Sequence, residues 1–109
     1  MALILSAAML LQSWCSEGFT ITGYVRGAHS PYTYDGTSIW TAEPIAAASW
    51  SIPIDSTVVV QGLGAYRVAD RGGGLGPAHI DVAVWTLAEA LATTRLAAVC
   101  IYPPGAGGG

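Results

Sequence analysis

Lysine is missing from this 109-residue chain, and Arg26, Arg67, Arg71 and Arg95 are its only strong cations. A nucleic-acid partner requires a basic stripe to neutralise phosphates, and four scattered arginines do not form one. Charge of either sign is scarce: 10% of residues are charged, against roughly 25% in an average soluble domain, and the formal net charge is -3. Surface polarity therefore falls to Ser, Thr, Gly and backbone groups, so each acid carries more information than usual. Histidine is limited to His29 and His79, and cysteine to Cys15 and Cys100. Their spacing makes no metal-ligand cluster, and neither a metal nor a cofactor is expected. No apolar run reaches the about 20 residues of a membrane-spanning helix. The length suffices for one domain and not for two.

What is present divides into three stretches. Residues 2–11, ALILSAAMLL, have the length of a signal-peptide core but lack the basic residues that normally precede one. Residues 1–16 therefore read as a signal peptide or an N-terminal apolar segment, and the first alternative would make the protein secreted or part of the cell envelope. Residues 104–109, rich in glycine, read as a flexible tail. The domain proper spans 17–103. The two cysteines admit two readings. Either they clip the first and last strands together in an oxidising compartment, or Cys15 leaves with a signal peptide and Cys100 is a small buried hydrophobe.

Within the domain the pattern is mostly strand. FTITGYV (19–25), PIAAASW (44–50), STVVVQGLG (56–64), AYRVAD (65–70), HIDVAVW (79–85) and LAAVCIY (96–102) are short β-prone runs separated by turn signals. One helix over residues 86–92 interrupts them, with Thr86 as its cap and Glu89 at the third position beyond, as in a capping box. Short strands in so small a domain predict a closed barrel, because closure removes edges that a charge-poor chain cannot protect.

The scarce acids concentrate in VADRGGGLGPAHIDVAVW, residues 68–85, where Asp70 and Asp81 flank a glycine-rich loop. Taken singly, Asp70 can cap the turn that follows it, and Asp81 can be a satisfied polar group within a strand. His79 projects to the same strand face as Asp81.

Taken together, the order ITGY, IPIDSTVVV, ADRGGG, HIDVAVW and a short helix closely resembles the three-aspartate (3D) domain. That family is a double-psi β-barrel found in cell-wall-lytic proteins. Membrane-bound lytic transglycosylase A has a similar barrel, and rare lipoprotein A and the expansins have related ones. The match runs over residues 19–102. It is carried by Thr22, Gly23 and Tyr24, by Ile52, Pro53, Ile54, Asp55 and Ser56 against the family's Ile-Pro-Leu-Gly-Thr, and by Asp70, Gly72, Gly73, Ile80 and Asp81. Two departures stand out: Ala48, Ser49 and Trp50 occupy the place of an Asp-Pro pair, and Leu75 and Gly76 stand where the family's loop often carries a lysine.

The resemblance implies an all-β, six-stranded double-psi barrel with one short helix. It also implies a monomeric, secreted or envelope protein acting on peptidoglycan or a related polysaccharide. Cutting a glycosidic bond requires a carboxylic acid still protonated near neutral pH, whereas an exposed Asp, with a pKa of about 3.9, is ionised there. Burial or a neighbouring carboxylate supplies the upward shift. On this view Asp81 is the catalytic acid/base, Asp70 holds the loop or tunes its neighbour, and Thr22, Tyr24, Arg71 and His79 are candidate substrate-binding residues. The turn-rich loop with Tyr32, Tyr34 and Asp35 is the next candidate surface. The expected activity is that of a lytic transglycosylase or glycosidase. The alternatives are an expansin-like module that binds without cutting, and a structural accessory domain.

Overall fold

The computed structural model describes residues 12–105. There the β-prone runs become six strands: β1 (Trp14–Val25), β2 (Ile45–Ala48), β3 (Thr57–Val60), β4 (Gly64–Arg71), β5 (His79–Val84) and β6 (Arg95–Tyr102). Side chains alternate across each strand. Ile21 on β1, Val58 and Val60 on β3, Ile80 and Val82 on β5, and Val99 and Ile101 on β6 all turn inward, at most 1% exposed, and share one core. The strands close in the order β1-β5-β2-β4-β3-β6. Closure gives each described strand a neighbour on both sides, although the start of β1, Trp14 to Ser16, has β6 as its single neighbour.

The route of the chain follows from the pairings. β5 lies between the sequence neighbours β1 and β2, parallel to the first and antiparallel to the second. β2 likewise lies between β4 and β5, parallel to β4. Each consecutive pair thus straddles a strand from the other half, which makes two interlocked psi loops. The order maps onto itself when β1, β2 and β3 are exchanged for β4, β5 and β6. The two central strands, β2 and β5, meet at the pairs Ala46–Val82, Ala47–Asp81 and Ala48–Ile80. This is the closed all-β barrel that the strand pattern predicts, with the double-psi course that the resemblance implies.

Among the described residues one helix is present, α1 (Leu87–Thr93), displaced by one residue from the expected span. The Thr86 hydroxyl accepts from the Glu89 N–H at 3.1 Å and donates to the Glu89 carboxylate at 3.1 Å. The cap is therefore reciprocal, although the Glu89 side chain meets the hydroxyl rather than the Thr86 amide of a full capping box. Ala90 joins the barrel core. Its Cα would lie only 2.8 Å from a Cβ at position 23, so Gly23 lets the helix backbone rest directly on β1.

The structure differs from the sequence reading at several ends. β1 begins at Trp14, within the segment read as a leader and before the expected domain start at 17; of that segment, residues 1–11 lie outside the described residues, as do residues 106–109 of the tail. β2 stops at Ala48 because residues 49–52 turn away, and β3 stops at Val60 because Gly62 and Gly64 adopt positive φ. Of the two readings for the cysteines, the paired one holds. Cys15 and Cys100 face each other across antiparallel β1 and β6 and are joined by a disulfide. Their Cα atoms are 3.9 Å apart, closer than the usual roughly 4.4 to 6.8 Å, as befits directly opposed cross-strand partners.

Asp55 sits at φ 71°, the left-handed conformation that favours glycine. It is the position where the resembled family has its glycine. Here the aspartate is held by its 2.9 Å ion pair with Arg67.

Candidate functional site

The psi crossing aligns four residues side by side on the outer face of the barrel. Thr22 of β1 pairs with Asp81 of β5, Asp81 with Ala47 of β2, and Ala47 with Asp70 of β4. The alternation that sends Ile80 and Val82 into the core necessarily sends Asp81 outward. Asp70 is therefore not against Asp81, as the loop between them suggested. β2 intervenes, and two strand spacings separate their Cα atoms by roughly 10 Å. Between the acids the floor is only the methyl group of Ala47, 4% exposed.

A cleft of about 410 Å³ opens over this row. Asp81, Ala47 and Asp70 form its base, Tyr24, Gly27, His29, Ser30 and Tyr32 one wall, and Arg71, Gly72 and Gly73 the other. The first wall comes from the end of β1 and the long β1–β2 connection, which packs Ile39 against Ile45, Ala69, Ala83 and Tyr24 in a second apolar cluster outside the barrel. Covered from both sides, the four residues of β2 are all buried, which suits its run of alanines.

Arginines fix this connection. Arg26 is buried and donates to the carbonyls of Ile39 (3.1 Å), Thr41 (2.7 Å) and Glu43 (3.0 Å), with its guanidinium 4.5 Å from the Trp85 ring centroid. Arg67 reaches Asp35, Glu43 and Asp55 at 2.7 to 2.9 Å, tying two stretches of the connection to the β2–β3 turn. Burial works against the charge on Asp35, yet bonds from Thr37, Arg67 and Thr33 hold its carboxyl far below the usual range. Asp35 is thus a structural anchor turned toward Arg67, and its neighbours Tyr32 and Tyr34 are the residues of that loop placed at or near the cleft.

Asp81 is half-buried. Burial pushes its carboxyl above the ordinary value and the charge of Asp70 adds to this, while the Thr22 bond and the charges of His79 and His29 oppose it. The Thr22 hydroxyl donates to Asp81 Oδ1 at 2.9 Å and lies 2.8 Å from His79 Nε2. A hydroxyl has one proton, so with Asp81 ionised the Thr22 oxygen accepts from Nε2–H. With Asp81 protonated both bonds reverse, and the imidazole nitrogen accepts. Thr22 and His79 therefore act on the acid from behind rather than lining the cleft, and the three residues form a chain along which a proton can pass.

Tyr24 lies over the same row. Its phenol is held well above its ordinary pKa by burial and by the charges of Asp70 and Asp81, so it remains a neutral donor. It makes a long 3.5 Å bond to Asp70 Oδ2.

Asp70 has a different employment. Its Oδ1 accepts from the N–H groups of Tyr34 and Arg71, both at 2.9 Å, and so pins the β1–β2 connection to the end of β4. Replacing Asp70 by Ala should cost about 1 to 2 kcal/mol, because the Arg71 amide is left part-buried while water reaches the Tyr34 amide. Urea denaturation measures this, and an unchanged midpoint would contradict the anchoring role.

Arg71, a candidate substrate contact, lines the cleft, but one nitrogen of its guanidinium is engaged on the carbonyls of Ser49 (2.8 Å) and Ile52 (2.7 Å), with Ala48 at 3.4 Å. It holds the β2–β3 turn. His29, which no sequence pattern singles out, lines the cleft with Asp81. Ala47 and Gly27 also carry the site without any sequence signal of function: a Cβ at Gly27 would overlap the Trp40 indole, so the glycine lets the wall fold in. Among the described residues no cluster of His, Cys, Asp and Glu could hold a metal ion. No protein-family model, curated protein or solved structure matches the chain.

Proposed function

We propose that the cleft holds a strand of peptidoglycan or a related polysaccharide, and that Asp81 acts as general acid and then general base in breaking one glycosidic bond. The observation that carries this is the setting of Asp81: a half-buried carboxyl at the base of an open cleft, raised toward the protonated form by burial. The acid works without an evident carboxylate partner, since Asp70 stands across β2 with Oδ1 committed to two amides. One acid suffices for a lytic transglycosylase. Asp81 gives its proton to the glycosidic oxygen as the C1–O bond breaks. The resulting carboxylate then takes the proton of the sugar's own 6-hydroxyl, whose oxygen bonds to C1. The product is a 1,6-anhydro sugar, no water is consumed, and Asp81 is protonated again.

The resemblance to the 3D domain supports the same substrate class. The Cys15–Cys100 disulfide fits an oxidising location, in the envelope or outside the cell. No helix among the described residues is long and apolar enough to cross a membrane.

A second reading draws on the Thr22 bond, which favours the carboxylate. An ionised Asp81 would accept hydrogen bonds from sugar hydroxyls, and the protein would be an expansin-like binding module. Incubation with purified peptidoglycan and mass spectrometry of the soluble fraction separates the two. Anhydromuropeptides are expected; new reducing ends would mean a hydrolase, and retention on the polymer without products would favour the binding module. Neither binding nor products would overturn both readings.

A further inference from the structure

Trp50 is 71% exposed, second only to Leu96 among the large hydrophobic side chains of the described residues. Unlike an ordinary surface tryptophan it is fixed in place. Arg71 bonds to the carbonyls of Ser49 and Ile52 on either side of it, and the same guanidinium lies 4.8 Å from its ring centroid. The Tyr34 ring stands against it at 5.2 Å and nearly perpendicular. Tyr34 is in turn fastened by its backbone N–H to Asp70, and Asp70 and Arg71 both line the cleft. The aromatic pair is therefore continuous with the Asp70 end of the row that begins at Thr22 and Asp81.

The polar groups around the ring define what it can take. Ser49 and Ser51 flank Trp50 in sequence, and their exposed hydroxyls lie 2.6 Å apart. The cation nearby, Arg71, has one guanidinium nitrogen on backbone carbonyls and lies against the Trp50 ring. A rigid ring rimmed by hydroxyls suits a hydroxyl-rich ligand with an apolar face. A pyranose ring has such a face in its C–H bonds, while its hydroxyls can meet the serines.

We propose that Trp50 and Tyr34 form a sugar-stacking subsite that takes a pyranose ring of the glycan lying beyond the one at Asp81. The proposal rests on the glycan reading of the cleft and adds to it a dependence on chain length. A longer oligosaccharide spans both places, and a short one fills the cleft alone.

The test uses the whole protein, titrated with N-acetylglucosamine oligomers and followed by NMR. The probes are a disaccharide and a pentasaccharide. The Trp50 indole N–H signal, assigned by its loss in Trp50→Ala, should move with the pentasaccharide. Trp50→Ala should weaken pentasaccharide binding roughly fivefold to tenfold, leave the disaccharide unaffected and keep the wild-type unfolding midpoint. Trp50→Phe should restore part of the loss. If cleft amides near Tyr24 and Asp81 shift while Trp50 does not, or if Trp50→Ala binds the pentasaccharide as well as wild type, the subsite is wrong and the cleft reading survives. If no cleft signal moves with either oligomer, the glycan reading falls and the subsite falls with it.

Discussion

Asp81→Asn is expected to lower the yield of anhydromuropeptides by about 10² to 10⁴-fold, the usual span for loss of a general acid–base group. The amide keeps the shape of the carboxyl and can still meet the Thr22 hydroxyl, so binding to peptidoglycan should persist. Stability should change in the opposite direction to activity. Burial raises the folded-state pKa of Asp81, so folding favours the protonated form. The stabilisation this gives is fully present below the unfolded-state pKa and is lost as pH rises through the folded value. Asparagine does not ionise and escapes that loss. At neutral pH the variant should therefore unfold at a higher denaturant concentration than wild type, with the difference closing on acidification. Denaturation curves at acidic and neutral pH measure this directly. A variant that still releases anhydro products at the wild-type rate would remove Asp81 from the chemistry. A difference in stability that widened toward low pH would mean that the ionised form is the one the fold prefers.

The parts of this site that the sequence reveals are those set by local alternation. HIDVAV places Asp81 on the face opposite Ile80 and Val82 whatever the topology, and Thr86 with Glu89 announces the helix start. The pairing of Thr22 with Asp81 needed more. It depends on β5 inserting beside β1, which follows from the psi topology that the family resemblance implied and not from either strand alone.

What stayed hidden depends on long-range closure. Nothing in IAAA marks Ala47 as the floor of a cleft, because its role comes from lying between Asp81 and Asp70 once β2 takes its place between β5 and β4. The same ring order separates two acids that a glycine loop seemed to bring together. Arg26 stands in the sequence only as one of four scattered cations and Arg71 as a candidate substrate contact, yet each ends on backbone carbonyls of a returning connection. A carbonyl acceptor leaves no trace in side-chain composition. The early start of β1 was hidden for a related reason. WCSEG has no clear strand alternation, and its side chains are exposed. It is a strand because β6 lies beside it and Cys100 faces Cys15.

That cross-link is where the largest stability effect should lie. It joins positions 85 apart in sequence, so it encloses nearly the whole barrel and restricts the unfolded chain accordingly. Loop-closure entropy for such a separation amounts to roughly 4 to 5 kcal/mol, a large share of the about 5 to 15 kcal/mol that holds an ordinary domain together. The double variant Cys15→Ser, Cys100→Ser should therefore melt roughly 15 to 30 °C below wild type. Its folded state should loosen on one side only. Trp14, Cys15 and Ser16 pair with β6 alone, since the parallel pairing with β5 begins at Thr20. β6 is also held by β3, through Val58–Ile101, Val59–Cys100 and Val60–Val99. Barrel closure itself persists through Phe19, Thr20 and Ile21 against Ala97, Leu96 and Arg95. Amide exchange in the double variant should accordingly quicken at residues 14–16 and stay slow along the β3–β6 ladder. An unchanged melting temperature would show that the cross-link constrains little in the unfolded chain, and equal loss of protection on both flanks of β6 would show that the bridge holds the barrel closed rather than its N-terminal arm in place.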